Sequence, residues 1–255
     1  MELSLSKTKD SLPIANVSGH NMNIYIQPTK KKFDERCRCL SIDNSNEEDD
    51  TKLIPLPLIY ENQRSALYIS GVSGSGKSTS AAQYIKQIRK IHRYNDMPVY
   101  FFTWSALPDP AYKDIPKFYR VDLKNEDFMS LDTTECANSI CLFDDYTSIP
   151  DKEIKTYIDK FIRELLENSR KQNTLLIIIN HITQDYNRTR HIIFECDSYI
   201  LYPQFNLNST TKFLKSYLDL SDEQLAKIKD MDSRWIFVRK VVPRYLISEQ
   251  EVILL

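Results

Sequence analysis

Gly71-Val72-Ser73-Gly74-Ser75-Gly76-Lys77-Ser78 decides the fold. The octapeptide fits the pattern GxxxxGK[ST] at every defined position. Its flanks supply the context the pattern requires. Ala66 to Ser70 reads as a short apolar strand. A helix is expected from Gly76 to about Arg93, with Ala81, Tyr84, Ile85, Ile88 and Ile91 on one face. Glycine lets backbone N–H groups turn inward around phosphate oxygens, and the helix start adds further donors and the positive end of its dipole. Lys77 is placed to reach the β- and γ-phosphates of ATP, and the Ser78 hydroxyl to ligate Mg²⁺. The nucleotide-binding set is Gly71, Val72, Ser73, Gly74, Ser75, Gly76, Lys77, Ser78 and Thr79. The bland alternative is a Gly/Ser-rich turn that matches by chance. The glycine count weighs against it. The chain has 4 glycines in 255 residues, where about 7% is usual. Three of them fall inside this loop.

The same alternation continues outward. Val99 to Thr103 and Phe118 to Leu123 read as strands. Ile140 to Phe143 is a buried strand ending in two aspartates. A helix is expected from Asp151 to about Asn168, with Ile154, Ile158, Phe161 and Leu165 as its stripe. Leu175 to Ile179 and Ser198 to Tyr202 are further buried strands. Continuous apolar strands separated by amphipathic helices indicate an α/β fold, with a mostly parallel central sheet covered on both faces. Ser221 begins a later helix, with Gln224 completing a capping box. Trp235 to Val242 and Tyr245 to Leu255 read as a C-terminal β-hairpin, with Pro243 at its turn or edge.

Residues 1–50 read as a partly ordered N-terminal extension, and residues 51–255 as the nucleotide-binding domain. The extension holds a strand at Met22 to Ile26, a basic run Lys30-Lys31-Lys32 and an acidic stretch Glu47-Glu48-Asp49-Asp50. Composition excludes several classes. A hydrophobic fraction of 42% and a charged fraction of 27% exclude global disorder. The 34 basic and 35 acidic residues nearly cancel, which excludes a histone-like binder but not a locally basic groove. Five cysteines, Cys37, Cys39, Cys136, Cys141 and Cys196, show no CxxC pair, so reduced thiols are expected. The start, MELSLSKTKDSLP, lacks an apolar signal core. The longest apolar run, Leu175 to Ile179, falls far short of the about 20 residues that span a bilayer. Neither secretion nor membrane insertion is expected.

Asp144 and Asp145 follow four apolar residues. This spacing puts Asp144 at the tip of a buried strand, where it can hold the Mg²⁺ hydration shell beside Ser78. Asp145 is then free to polarise the attacking water. A solvated turn, with Asp145 capping the helix near Pro150, is the alternative. Asn180-His181 ends the next strand. If that strand is inserted between the nucleotide strand and the acidic strand, one of the pair can orient the water and sense the γ-phosphate, and register decides which. Arg170 precedes this strand, and Arg188 and Arg190 follow it. Arg170 reads either as dipole compensation at a helix end or as an arginine finger acting on a neighbouring subunit. Lys86, Arg89, Lys90 and Arg93, and separately Arg239, Lys240 and Arg244, are two basic clusters that could face DNA.

The order GVSGSGKS, VYFFTWSALPDPAY, ICLFDDY, NSRKQNTLLIIINH resembles the genome-packaging ATPases of poxvirus-like large DNA viruses and their virophages, within the FtsK–HerA group of P-loop motors. The resemblance covers roughly residues 64–202. It implies a P-loop NTPase three-layer sandwich. It implies nucleotide binding by Gly71, Gly74, Gly76, Lys77 and Ser78, metal binding by Asp144 and catalysis by Asp145. Arg170 matches the arginine ahead of the sensor strand and Arg190 one beyond it. The departure lies at the sensor, where the family offers Gln and this chain has Asn180-His181. The expectation is therefore an Mg²⁺-dependent ATPase that translocates double-stranded DNA as a homo-oligomeric ring, pentamer or hexamer. Capsid proteins are further partners, and the host cytoplasm or virion the location. A small-molecule or nucleoside kinase and a nucleotide-dependent switch are the rival readings. A kinase needs an acceptor site and an Arg-rich lid. A GTPase switch would want an NKxD-type base reader, which the sequence lacks.

Overall fold

Every residue of Ser65–Ser70 and of Leu175–Asn180 is buried, the signature of strands covered on both faces. The computed structural model describes residues 1–28, 38–42, 51–60, 63–181 and 186–255, without the side chains of 126 and 186–189. Cys37, the Lys30–Lys32 run and the Glu47–Asp50 stretch lie outside the described residues. The chain divides into two compact units, Met1–Leu58 with Tyr199–Leu255, and Ile59–Ser198.

The first unit opens with β1 (Glu2–Ser4), β2 (Leu12–Val17), β3 (Met22–Gln27), β4 (Cys39–Ser41) and β5 (Leu53–Pro55). Four of these form an antiparallel sheet in the order β1-β3-β2-β5. Ile14, Val17, Ile24, Ile26 and Leu53 form its buried side. Of these strands the sequence reading found only β3. In β2 the pairing slips between Pro13 and Ala15, so the period-2 pattern is interrupted where it was needed.

The second unit runs β6 (Ser65–Ser70), α1 (Lys77–Ile88), β7 (Val99–Thr103), β8 (Phe118–Asp122), β9 (Ile140–Asp144), α2 (Lys152–Gln172), β10 (Leu175–Asn180) and α3 (Tyr186–Glu195). Its strands are all parallel, in the order β6-β10-β9-β7-β8. The connections from β6 to β7 and from β9 to β10 run in opposite directions across the sheet. Right-handed crossovers therefore put α1 and α2 on opposite faces. Adjacent side chains of β7 show the same division. Phe101 packs on Tyr112, in the short 3₁₀ turn Pro110–Tyr112 that lies against α1. Phe102 stacks on Phe143 and meets Phe161 of α2. The unit is a three-layer α/β sandwich.

Helix boundaries follow local chemistry. Asp151 caps α2, its Oδ1 accepting from the N–H groups of Glu153 and Ile154 at 2.8 and 3.0 Å. The helix runs on to Gln172, one turn beyond the expected end, and closes with Asn173 in the left-handed region. Conversely, α1 stops at Ile88, short of the expected Arg93. The Arg89 guanidinium donates to the carbonyls of Asn95, Met97 and Pro116. It thereby turns the chain into a short 3₁₀ segment, His92–Tyr94, that buries Tyr94.

The first unit resumes with β11 (Ser198–Leu201), α4 (Leu207–Leu218), α5 (Asp222–Asp230), β12 (Ile236–Arg239), β13 (Tyr245–Ile247) and β14 (Glu251–Leu254). Ser221 and Gln224 form the expected capping box. The expected C-terminal hairpin is an antiparallel meander β12-β13-β14, with β4 added to β14. Pro243 sits in the β12–β13 turn. The arm Tyr245–Leu255 splits into two strands because the Ser248 Oγ accepts from the N–H groups of Gln250 and Glu251, which reverses the chain.

Candidate nucleotide site

Parallel pairing brings the C-terminal tips of four strands to one edge of the sheet. Asn180 pairs with Ser70, and Asp144 pairs with both Ile179 and Thr103. Strand β10 thus lies between the glycine-rich loop after β6 and the acidic tip of β9. This is the inserted arrangement on which the sensor reading was conditional.

The loop itself is built by backbone geometry. Gly74 and Gly76 have φ of 76° and 105°, a region that side-chain-bearing residues avoid. The Ser75 N–H bonds the Val72 carbonyl at 3.2 Å, and the Ser80 N–H bonds the Gly76 carbonyl at 2.9 Å as α1 begins. Lys77 Nζ donates to the carbonyls of Gly71 and Val72, both at 3.0 Å. The ammonium therefore bridges the loop. Burial pulls its pKa down, while Asp144 and Asp145 oppose that pull. Ser78 is half-buried in the first turn of α1, and Thr79 is exposed.

The acids differ in environment. Burial raises the Asp144 carboxyl to about 6, with Asp145 and Asp109 adding to the rise and Lys77 opposing it. Asp145 has φ of 55°, uncommon for a residue with a Cβ. Its Oδ1 accepts from Ser148 Oγ at 2.6 Å and lies 3.4 Å from His181 Nε2. The helix cap that was its alternative role belongs to Asp151. Two strand-end residues also part company. Asn180 is 1% exposed. Its Oδ1 accepts from Thr147 Oγ1 at 2.8 Å, and its Nδ2 points to the Tyr146 hydroxyl at 3.4 Å. His181, with a side chain 41% exposed, faces the acid.

Asp109 was missed by the sequence reading. It begins the 3₁₀ turn Pro110–Tyr112, its Oδ1 accepting from the Ala111 N–H at 2.9 Å. An Asp directly before Pro is a turn-start signal, but its nearness to Asp144 comes from the fold alone. One ammonium faces several carboxylates here. A donor set with Ser78 and excess negative charge suits a divalent cation carrying phosphate.

Arg170 is not brought to this edge. Arg170 is exposed in the last turn of α2, beyond the opposite end of β10. Six residues of strand, about 20 Å, lie between it and the tip. Arg190 lies on α3 with its guanidinium 5.4 Å from the Phe194 ring. The side chain of Arg188 is outside the described residues. Of the basic clusters, Arg89 is turned to backbone carbonyls. So are Arg239, 4% exposed and donating to the Leu58 carbonyl at 3.2 Å, and Arg244, donating to that of Leu218. These three support the fold, whereas a DNA surface needs solvent-facing charge. No helix among the described residues is long and apolar enough to cross a membrane.

No protein-family model matches the chain. The uncharacterized protein V3 of Sputnik virophage is 28% identical over 249 residues, spanning 96% of each chain. Among solved structures, the pCW3 conjugation coupling protein TcpA, in monomer form with ATPγS, is similar at a TM-score of 0.51. That match has 14% identity and covers 92% of this chain and 76% of that one. The cytoplasmic domain of the type VII secretion ATPase EccC of Thermomonospora curvata aligns at a TM-score of 0.50 and 10% identity over 86% of this chain. This chain spans only 29% of the EccC chain. The α/β fold, with its largely parallel sheet, is shared with these two proteins.

Proposed function

We propose that this protein is an Mg²⁺-dependent ATPase that translocates double-stranded DNA, the genome-packaging motor of a DNA virus or virophage. The observation that carries the reading is the insertion of β10 between β6 and β9, which gathers Lys77, Asp144, Asp145 and His181 at one sheet edge. Lys77 and the loop N–H groups hold the ATP phosphates, with Gly71 to Thr79 as the cradle. Ser78 and Asp144 hold Mg²⁺, which supplies charge neutralisation for the transferred phosphoryl group. Asp145 takes the proton of the attacking water, and His181, 3.4 Å from that carboxylate, orients it. Asn180 does not reach outward, so His181 is the sensor of the pair. Similarity to V3 of a virophage over nearly the whole of both chains supports a viral setting, in the host cytoplasm or virion. The likeness to a conjugation coupling protein supports DNA as the cargo.

Charge on the transferred phosphoryl exceeds what Lys77 and Mg²⁺ offset. We assign the remaining cation to a neighbouring protomer of a pentameric or hexameric ring docked on capsid proteins, Arg170 first and Arg190 second. Arg170 lies far from its own loop, which suits action in trans. The test is ATP turnover with and without duplex DNA, followed by mixing Arg170→Ala protein with Asp145→Asn protein. DNA stimulation and partial recovery in the mixture are expected. Full turnover by an isolated monomer, insensitive to DNA, would overturn the motor.

A further inference from the structure

Asn180 does more than occupy the strand end. Its backbone oxygen accepts from the N–H of Gly71, the first residue of the loop, at 3.3 Å. Its carboxamide takes the Thr147 hydroxyl at 2.8 Å and reaches the buried Tyr146 hydroxyl. Thr147 belongs to the 3₁₀ turn Tyr146–Ser148 that directly follows Asp145. The Thr147 carbonyl in turn accepts from Lys155 Nζ at 2.7 Å. Lys155 sits one turn into α2, where the helix dipole disfavours a cation. A part-buried lysine there needs a local partner, and the Thr147 carbonyl is that partner. A continuous line of hydrogen bonds therefore joins the phosphate loop, the sensor strand, the turn carrying the acid, and the first turns of α2.

We infer that Thr147, braced by Lys155, is a positioning residue for hydrolysis. It locks the Asn180 carboxamide and the turn after Asp145 into one rigid piece. Asp145 and His181, which flank that piece, then keep the approach a water-activating pair requires. The same piece carries the state of the loop to α2. Thr147 touches no reacting atom; it acts through Asn180 and the Asp145 backbone. This rests on the ATPase reading above, and the experiment separates the two.

Thr147→Val keeps the shape and removes the hydroxyl. It is expected to lower kcat for ATP about tenfold, the scale of one neutral hydrogen bond, with ATPγS affinity changed less than about twofold. Thr147→Ser restores most of kcat, and Lys155→Met loses about threefold. A second readout is hydrogen exchange with and without ATPγS. In the wild type, protection spreads from the loop to peptides spanning 144–155; in Thr147→Val it stays with the loop. Unchanged kcat with a lowered Tm, or equal loss of affinity and kcat, overturns the positioning role. If the wild type binds ATPγS but does not hydrolyse ATP, the ATPase reading fails and exchange alone decides Thr147. Spread of protection in Thr147→Val equal to wild type then refutes it. Absence of nucleotide binding refutes both.

Discussion

The two compact units employ the same residue types to opposite ends. In Ile59–Ser198 five parallel strands point one way, so their tips share an edge. Residues as distant in sequence as Gly71, Asp144 and His181 meet there. In the other unit β1, β2, β3 and β5 pair antiparallel, as do β12, β13, β14 and β4. Successive strand ends in these antiparallel pairs fall on alternate edges, and three of the unit's cations are engaged close by. Arg239 and Arg244 bond main-chain carbonyls, and Lys240 lies 5.9 Å from the Tyr199 ring. Parallel direction thus gathers polar side chains at the strand tips, while away from the tips an arginine such as Arg89 bonds carbonyls just as Arg239 does.

The strongest way to break this contrast is Lys77→Ala. It should reduce ATP turnover at least about a hundredfold while circular dichroism and Tm stay near wild type, because the ammonium bonds loop carbonyls and supports no core. Retained turnover would mean the shared edge is not a phosphate site. Asp145→Asn should next cost about 10²–10⁴ in kcat with ATPγS affinity kept, since binding does not need that carboxylate. Parallel loss of affinity would move it from proton acceptor to metal ligand.

A smaller effect separates function from stability at the same edge. The folded state holds the Asp144 carboxyl at about 6, against 3.8 for the free group. The folded protein therefore binds the extra proton between these values, and stability contributed by this group is lost as pH rises from about 4 to 6. Asp144→Asn should stabilise the nucleotide-free protein by roughly 2–3 kcal/mol above pH 6, and not at all below about pH 4. Denaturant midpoints across that range read it out; a destabilised variant at pH 7 would contradict the burial argument. In the other unit, Arg239→Ala should cost about 2 kcal/mol of stability without altering the salt dependence of DNA binding. A change in the salt slope with Tm unchanged would restore Arg239 as a DNA contact and blur the contrast between the units.

Local chemistry was legible in the sequence where it is self-contained. The loop Gly71–Ser78 needs only glycine φ freedom and a following helix. The buried strands needed only continuous apolar runs, and the cap of α5 only Ser221 and Gln224. Asp144 at a strand tip followed from four apolar residues before it. Tertiary structure decided what depends on neighbours distant in sequence. Register placed β10 between β6 and β9. That sent the Asn180 side chain inward to Thr147 and left His181 at Asp145. It also brought Asp109 near Asp144, ended α1 at Ile88 through carbonyls that Arg89 reaches up to 27 positions away, and buried Arg239. No periodicity encodes these outcomes, because each is set by which backbone groups lie opposite one another after the sheet has formed.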